Sequence, residues 1–362
     1  MLQREPTDRY RISAAVPSGP GMAKSRCPRQ RDLDLDEFVS GVKGFHVALL
    51  QIDQGAFRAG GFQAHLGDSL LGTVRFERAL VQTWTSPAQS ITIAVRTTQA
   101  PALWQGSSFG LSDMLIASPE AEIELVSRPR FGIASASFPC HDFQRTAGLH
   151  GYSFLIGKNE CILTKLPTAH AAREIRRAIQ ILISELQATR SEARDPMWER
   201  AKRNDLLHRT VLTASSGVPF RASEHNVERA RVLEQAVAAI KERSADALTI
   251  TDLRHVTGAS ERTLHYAFVE HYGLPPARFM KACRLNGARR ELGRSVSQDA
   301  KISNIANRWG FWHLGQFAKD YRRWFGELPS ETCRRYQAES RSKGTSMMRK
   351  YAISSADRIR TP

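Results

Sequence analysis

Between Thr249 and Pro329 the chain twice repeats one arrangement: a short helix with an apolar stripe, a glycine, and a second helix whose two faces differ in chemistry. In the first copy Thr249 and Asp252 have capping-box spacing, Ile250, Leu253 and Val256 are expected to point inward, and Gly258 supplies a left-handed stop. Ser260 then serves as the N-cap of a helix over 261–271. On that helix Leu264, Ala267, Phe268 and His271 share one side at i, i+3, i+4, i+7 spacing. Arg262, Tyr266 and Val269 lie opposite, with Thr263 and His265 on the flanks. Gly273, Pro275 and Pro276 close this helix and open a long one, striped by Phe279, Ala282, Leu285, Ala288, Arg289 and Leu292 through to Arg294. After 295–300 the second copy begins: Ile302, Ile305 and Ala306, then Gly310, then a helix over 313–325. It turns Phe317, Tyr321, Trp324 and Phe325 inward and Gly315, Lys319 and Arg322 outward, with Gln316 and Arg323 beside them.

A helix, a tight glycine turn and a donor-bearing second helix form the helix-turn-helix arrangement, in which the second helix is anchored by its apolar face and reads base edges with the other. The charge distribution agrees. The net charge of +16 divides into +5 over residues 1–31, +7 over 241–337 and +4 over 338–362, while 32–240 is neutral. A neutral body with a basic C-terminal unit is the footprint of a polyanion-binding module joined to something else. The two tails alone supply +9, so a soluble protein with basic ends fits the charge equally well.

A length of 362 residues calls for two or three domains. The spacing implies an α+β, multidomain chain. Residues 1–31, with Pro17, Gly19, Pro20, Gly21 and Pro28 among arginines, read as a disordered basic tail, and Met22 is an alternative first residue. Residues 32–165 read as a β-rich domain, a cupin-like barrel or sandwich, from short apolar or alternating runs at 45–52, 57–66, 69–76, 90–95, 114–117 and 121–126. Residues 166–240 form a helical region: Ile175, Ala178, Ile179, Leu182, Ile183 and Leu186 make one stripe, followed by Leu206, Leu207, Val211 and Leu212, serving either as core or as a dimer seam. Residues 215–224 read as a linker, and 338–362 as a second basic tail. No apolar run approaches the ~20 residues of a membrane span, and no secretory leader is evident. Five widely spaced cysteines with no C-x-x-C pair fit a reduced, cytoplasmic chain.

The stretch 241–337 resembles the DNA-binding domain of the AraC family of bacterial transcription regulators. The matching residues are Ser260, Glu261, Arg262, Thr263 and Leu264, Phe268, Tyr272, Gly273 and Pro276, then Arg284, Leu285, Ala288, Arg289 and Leu292. The second half adds Ile305, Ala306, Gly310, Phe311, Phe317, Phe325, Gly326 and Pro329. The resemblance implies two helix-turn-helix units on a long joining helix, reading successive major grooves about one turn, ~34 Å, apart. By position it assigns base contacts to Arg262, Thr263, His265 and Tyr266 in the first unit and to His313, Gln316 and Lys319 in the second. Phosphate contacts fall to Ser260, Arg322 and Arg323. The partners implied are an operator in double-stranded DNA, RNA polymerase, a small-molecule effector and a second copy of the chain, with the protein acting as an activator. Two residues depart from the family pattern. Arg254 stands where a small residue usually packs, which would reshape the first unit. Gly315 gives the second helix no side chain at a reading position and costs ~1 kcal/mol against alanine.

Arg31, Asp32, Leu33 and Asp34, with the runs from Phe45 to Phe76, are similar to regulators grouped with those of ethanolamine utilisation. An effector pocket there would be lined by Phe62, Phe76, Trp84 and Trp104. An enzymatic alternative rests on Gly106, Ser108 and Gly110 in G-x-S-x-G form, with His141, Asp142 and His150 downstream; it needs a strand, a sharp turn and a helix. Isolated His46 and His65 form no metal set, and nucleotide-binding glycine motifs are missing, so no cofactor is expected.

Overall fold

Alternation along the strands organises the N-terminal half into two antiparallel sheets. The computed structural model describes residues 35–152, 156–189, 194–220, 227–243, 248–294 and 301–338. The tails expected at 1–31 and over most of 338–362, and the break at 295–300, lie outside the described residues. One sheet has five strands, β1 (His46–Gln51), β4 (Leu80–Thr85), β9 (Glu122–Ser127), β6 (Ala102–Trp104) and β7 (Ser107–Ser108), adjacent in that order. The other has seven, in the order β12 (Val218–Phe220), β11 (Cys161–Lys165), β8 (Asp113–Ala117), β5 (Ser90–Arg96), β10 (Phe131–Pro139), β3 (Ser69–Phe76) and β2 (Ala59–Leu66). A short helix, α1 (Leu35–Gly41), sets Phe38 edge-on against Phe76 and Trp84.

Period two decides which cluster each side chain joins. Ala94 and Leu115 pack with Leu49, Leu80, Ile123 and Leu125 in a core shared by the two sheets. Their chain neighbours Ile93, Val95, Met114 and Ile116 face the other way, onto α2 (Cys140–Leu149), α3 (Ala169–Ala188) and α4 (Pro196–Ser216). The stripe from Ile175 to Leu186 is buried in that second cluster apart from half-buried Ala178, so within the described residues it serves as core. Leu206, Leu207 and Val211 join it, whereas Leu212 is exposed. Buried Arg203 of α4 ties the layer down through ion pairs to Asp142 and Asp68.

The third cluster lies on the outer side of the five-stranded sheet, where Ile52, Ala79, Val81 and Val126 meet the C-terminal helices. These are α5 (Val227–Glu242), α6 (Ile250–Thr257), α7 (Glu261–Tyr272), α8 (Pro276–Arg294), α9 (Ile302–Arg308), α10 (Leu314–Phe325) and α11 (residues 329–338). Gln51 at the end of β1 fastens them. Its backbone N–H donates to Asn286 Oδ1 at 3.2 Å, and Asn286 Nδ2 donates back to its carbonyl at 2.9 Å, so the amide of α8 pairs with the edge strand as another strand would. The Gln51 side chain donates to the Trp324 carbonyl at 2.8 Å, and Trp324 Nε1 donates to the Gln51 carbonyl at 3.2 Å. On β9, Glu124 meets His271 Nε2 at 3.1 Å, holding the end of α7.

Several expectations need correction. Residues 218–220 are a strand inside the expected linker, paired with β11. Val256 is 48% exposed and Thr257 is the buried residue, because the stripe from Leu253 continues at i+4; the Thr257 hydroxyl is satisfied by the Leu253 carbonyl at 2.8 Å. Arg254 is exposed, so its bulk does not press on α7. Gly106 and Ser108 belong to a β6–β7 hairpin turning at Gln105 and Gly106, both with positive φ, and no helix follows, which removes the nucleophile geometry. His150 pairs instead with His208 at 3.0 Å.

A cavity of about 80 Å³ opens between the sheets, lined by Phe38, Phe45, Phe62, Trp84, Leu115 and Ile133 among others. Phe62 and Trp84 thus line it as expected, whereas Phe76 and Trp104 are buried core. Among the described residues no helix is long and apolar enough to cross a membrane, and no three metal-binding side chains gather.

Two predictions follow from the joint between sheet and helices. Asn286→Leu keeps the volume but leaves the Gln51 N–H buried without an acceptor, and urea unfolding will show a loss of about 1–3 kcal/mol. Burial pushes the Glu124 carboxyl up, but the hydrogen bond and charge of His271, with Lys241 and Tyr272, outweigh it and hold the group below its ordinary 4.5. A depressed carboxyl stabilises the fold above that value and loses the contribution as pH falls through its folded pKa. Glu124→Gln is therefore less stable than wild type at neutral pH, with the gap closing below pH 4.5 in unfolding measured across pH.

Candidate nucleic-acid interface

The first unit is fixed by its caps. Thr249 Oγ1 accepts from the Asp252 N–H at 3.2 Å while Asp252 accepts from the Thr249 N–H at 2.8 Å, completing the capping box. The Thr249 hydroxyl, which donates to Asp252 Oδ2 at 2.7 Å, and the Thr249 N–H hold the Asp252 carboxyl below its usual range. Gly258 adopts φ 66°, the left-handed turn that a side chain would resist, and sends the chain into α7. Ser260 caps α7 by accepting from the Thr263 N–H at 3.1 Å. Leu264, Ala267, Phe268 and Tyr272 are buried, and Tyr272 stacks on Phe279 of α8 with centroids 4.3 Å apart. The helix is thus seated from one side.

Its other side carries Arg262, His265 and Tyr266, all exposed. The His265 ring meets Tyr266 edge-on at 6.1 Å, and the Arg262 guanidinium lies 5.5 Å from the Tyr266 ring centre. Arg229 of α5 stands 5.9 Å from the same ring and pairs with Glu270 at 3.0 Å. Sequence reading missed Arg229, since nothing along the chain signals a contact made across 37 residues (266 less 229). Thr263 is half-buried with its hydroxyl 2.9 Å from Ser260 Oγ, so these two residues engage each other at the cap rather than standing free.

In the second unit Gly310 turns the chain at φ 71° after α9, and Phe311 folds onto Phe317 at 5.0 Å beneath the Arg284 guanidinium. Phe317, Tyr321, Trp324 and Phe325 bury one face of α10. The opposite face shows Gln316, Lys319, Arg322 and Arg323 exposed, preceded by His313 at the N-cap, whose side chain makes no cap bond. Lys319, Arg322 and Arg323 form no ion pair with any described residue, nor does Arg262. Arg289, by contrast, is buried with its guanidinium 4.9 Å from the Phe325 ring and paired to Glu327 at 2.6 Å, a core cation. Trp312 and Leu314, which sequence reading passed over, stand exposed at the front of α10.

Residues 253–335 match the model of a helix-turn-helix domain. A probable AraC family transcriptional regulator from Rhodopseudomonas palustris CGA009, known from its crystal structure, is 35% identical over 29% of this chain and 97% of that one, at a TM-score of 0.28. XylDLEGF operon transcriptional activator 2 of Pseudomonas putida is 33% identical over 106 residues, which are 29% of this chain and 68% of that protein. The chain belongs to the AraC family. The probable thc operon regulatory protein of Rhodococcus erythropolis is 28% identical over 156 residues, 43% of this chain, and the chain spans only 47% of that relative's length. Every residue assigned above to DNA, from Ser260 to Arg323, falls inside the stretch matched to the helix-turn-helix model.

Within this AraC-family unit the Ser260 cap is a separable contribution. Ser260→Ala removes the acceptor of the Thr263 N–H, and thermal unfolding will register a loss of about 1 kcal/mol.

Proposed function

We propose that this AraC-family protein is a sequence-specific transcription regulator that reads promoter half-sites in successive major grooves with α7 and α10. The observation that carries the proposal is the set of exposed cations with no ion-pair partner among the described residues, Arg262, Lys319, Arg322 and Arg323, on helices whose opposite faces are buried. Such faces are built for a polyanion. Arg262 suits guanine N7 and O6, His265 and Tyr266 suit neighbouring base edges, and His313, Gln316 and Lys319 read the second half-site. Arg322 and Arg323 neutralise phosphates and set much of the salt dependence. Arg229, held against Tyr266, joins the first group. Ser260 and Thr263 serve at the helix start, where backbone N–H groups face a phosphate.

In this reading residues 32–165 form a cupin-like sensing domain, 166–240 the helical region beside it, and 241–337 the DNA-binding domain. The cavity between the sheets is lined mainly by apolar side chains, with Gln63, Thr92 and Ser135 among them, so a small, largely apolar molecule seated against Phe62 and Trp84 is the effector class that fits. Binding at the promoter recruits RNA polymerase, in keeping with the activator role in the name of the Pseudomonas relative.

Genome-wide capture of duplex DNA by the purified protein near physiological salt tests the reading, with an Arg262→Ala/Lys319→Ala double variant in parallel. A recurrent motif with two elements about one turn, ~34 Å, apart is expected, and the double variant loses it. Motif-free binding that survives in the double variant would leave an architectural DNA binder in its place.

A further inference from the structure

Trp312 leaves 68% of its surface in solvent at the entrance to α10. An indole has much apolar area to bury and a free N–H, and it normally finds cover in its own domain. Here the cover is taken: Phe311, one residue earlier, already fills the site over Phe317 and beneath Arg284. Trp312 makes no hydrogen bond or ring contact with any described residue. Leu314, two residues on, is 44% exposed, and Gly315 beside it has nothing within 4 Å of the place a side chain would occupy. The front of α10 is therefore a small apolar step with an open notch, and Lys319, Arg322 and Arg323 follow on the same helix with no carboxylate partner. Asp320, the acidic residue among them, is tied to Lys281 at 2.8 Å.

An apolar step leading a cationic face fits a polyanion that carries methyl groups. In a DNA major groove the apolar feature on the base edges is the C5 methyl of thymine. We propose that Trp312 and Leu314 are specificity-determining residues that pack on thymine methyl groups, so that methyl contact selects thymine in the half-site under α10 beside the polar contacts of His313, Gln316 and Lys319. The notch at Gly315 lets the helix backbone come close enough for both side chains to reach. This rests on the DNA-binding reading given above.

The test begins with a duplex motif selected by the full-length protein from a randomised pool. Each thymine of that motif is then replaced in turn by deoxyuridine, which removes only the methyl group. In one half-site, replacement is expected to weaken wild-type binding about tenfold and to leave Trp312→Ala binding unchanged, that variant being itself about tenfold weaker on the thymine duplex. Leu314→Ala behaves likewise at a neighbouring thymine. Trp312→Phe, which keeps an aromatic face, retains most of the affinity, and an unchanged melting temperature for Trp312→Ala separates a lost contact from a lost fold. Uracil that costs nothing at every position, or losses from uracil and Trp312→Ala that add, would overturn the methyl contact while leaving the DNA reading intact. Failure of the wild-type protein to select any motif would overturn both.

Discussion

The five-stranded sheet is a wall with a different task on each side, and the fold depends on how firmly the C-terminal helices are held to it. At one end Gln51 is buried among Asn286, Trp324 and the turn through Gly55, so a strand edge that would otherwise face solvent is closed by a helix side chain. Farther along, β9 alternates. Ile123 and Leu125 line the cavity between the sheets, while Glu124 and Val126, pointing oppositely, meet α7 and the helical cluster. A single strand thus touches both the cavity and the end of α7. Buried polar pairs of this kind fix register because any slip would leave amide groups without partners.

Local signals made the C-terminal half legible. Thr249, Gly258 and Ser260 mark helix ends by backbone chemistry that acts within a few residues, and they appear where the sequence puts them. The apolar faces of α7, α8 and α10 were readable for the same reason, since a 3.6 period needs only one element to show itself. Where the reading slipped, two candidates competed for one facing: Val256 and Thr257 both fit the short α6, and the stripe from Leu253 chose the polar one.

The β half was less legible because its information is not local. β10 carries Ala134, Ser135, Ala136 and Ser137 between β3 and β5, and its small residues are nearly all buried, so polarity gives little sign of facing in this enclosed strand. β12 returns to the sheet from beyond two helices, which no turn signal announces. The aromatic reading of the cavity was half right. Phe62 and Phe76 are both buried, but Phe38 and Phe57 pack on the Phe76 ring, whereas Phe62 borders the cavity. Arg229 and the Glu124–His271 pair belong to this class too: each joins residues far apart in sequence, and charge counts alone register them as surface groups.

The exposed faces of α7 and α10 are built on equivalent frames and differ in what they offer. On α7 the exposed groups are an aromatic ring between two guanidinium groups, with histidine at its edge, an arrangement that holds the side chains in place through one another. On α10 the exposed groups stand apart from one another: Gly315 leaves a gap, the His313 side chain makes no cap bond, and the cations begin a turn later. A stacked cluster loses little rotamer freedom when it meets a base, because its geometry is already set. The face of α10 has no such stacked cluster, and its polar side chains keep more rotamer freedom to lose on contact. The exposed Trp312 therefore follows from the same local economy of packing that buried Phe311: two adjacent aromatics compete for one niche on Phe317, and the one left outside faces whatever the helix approaches.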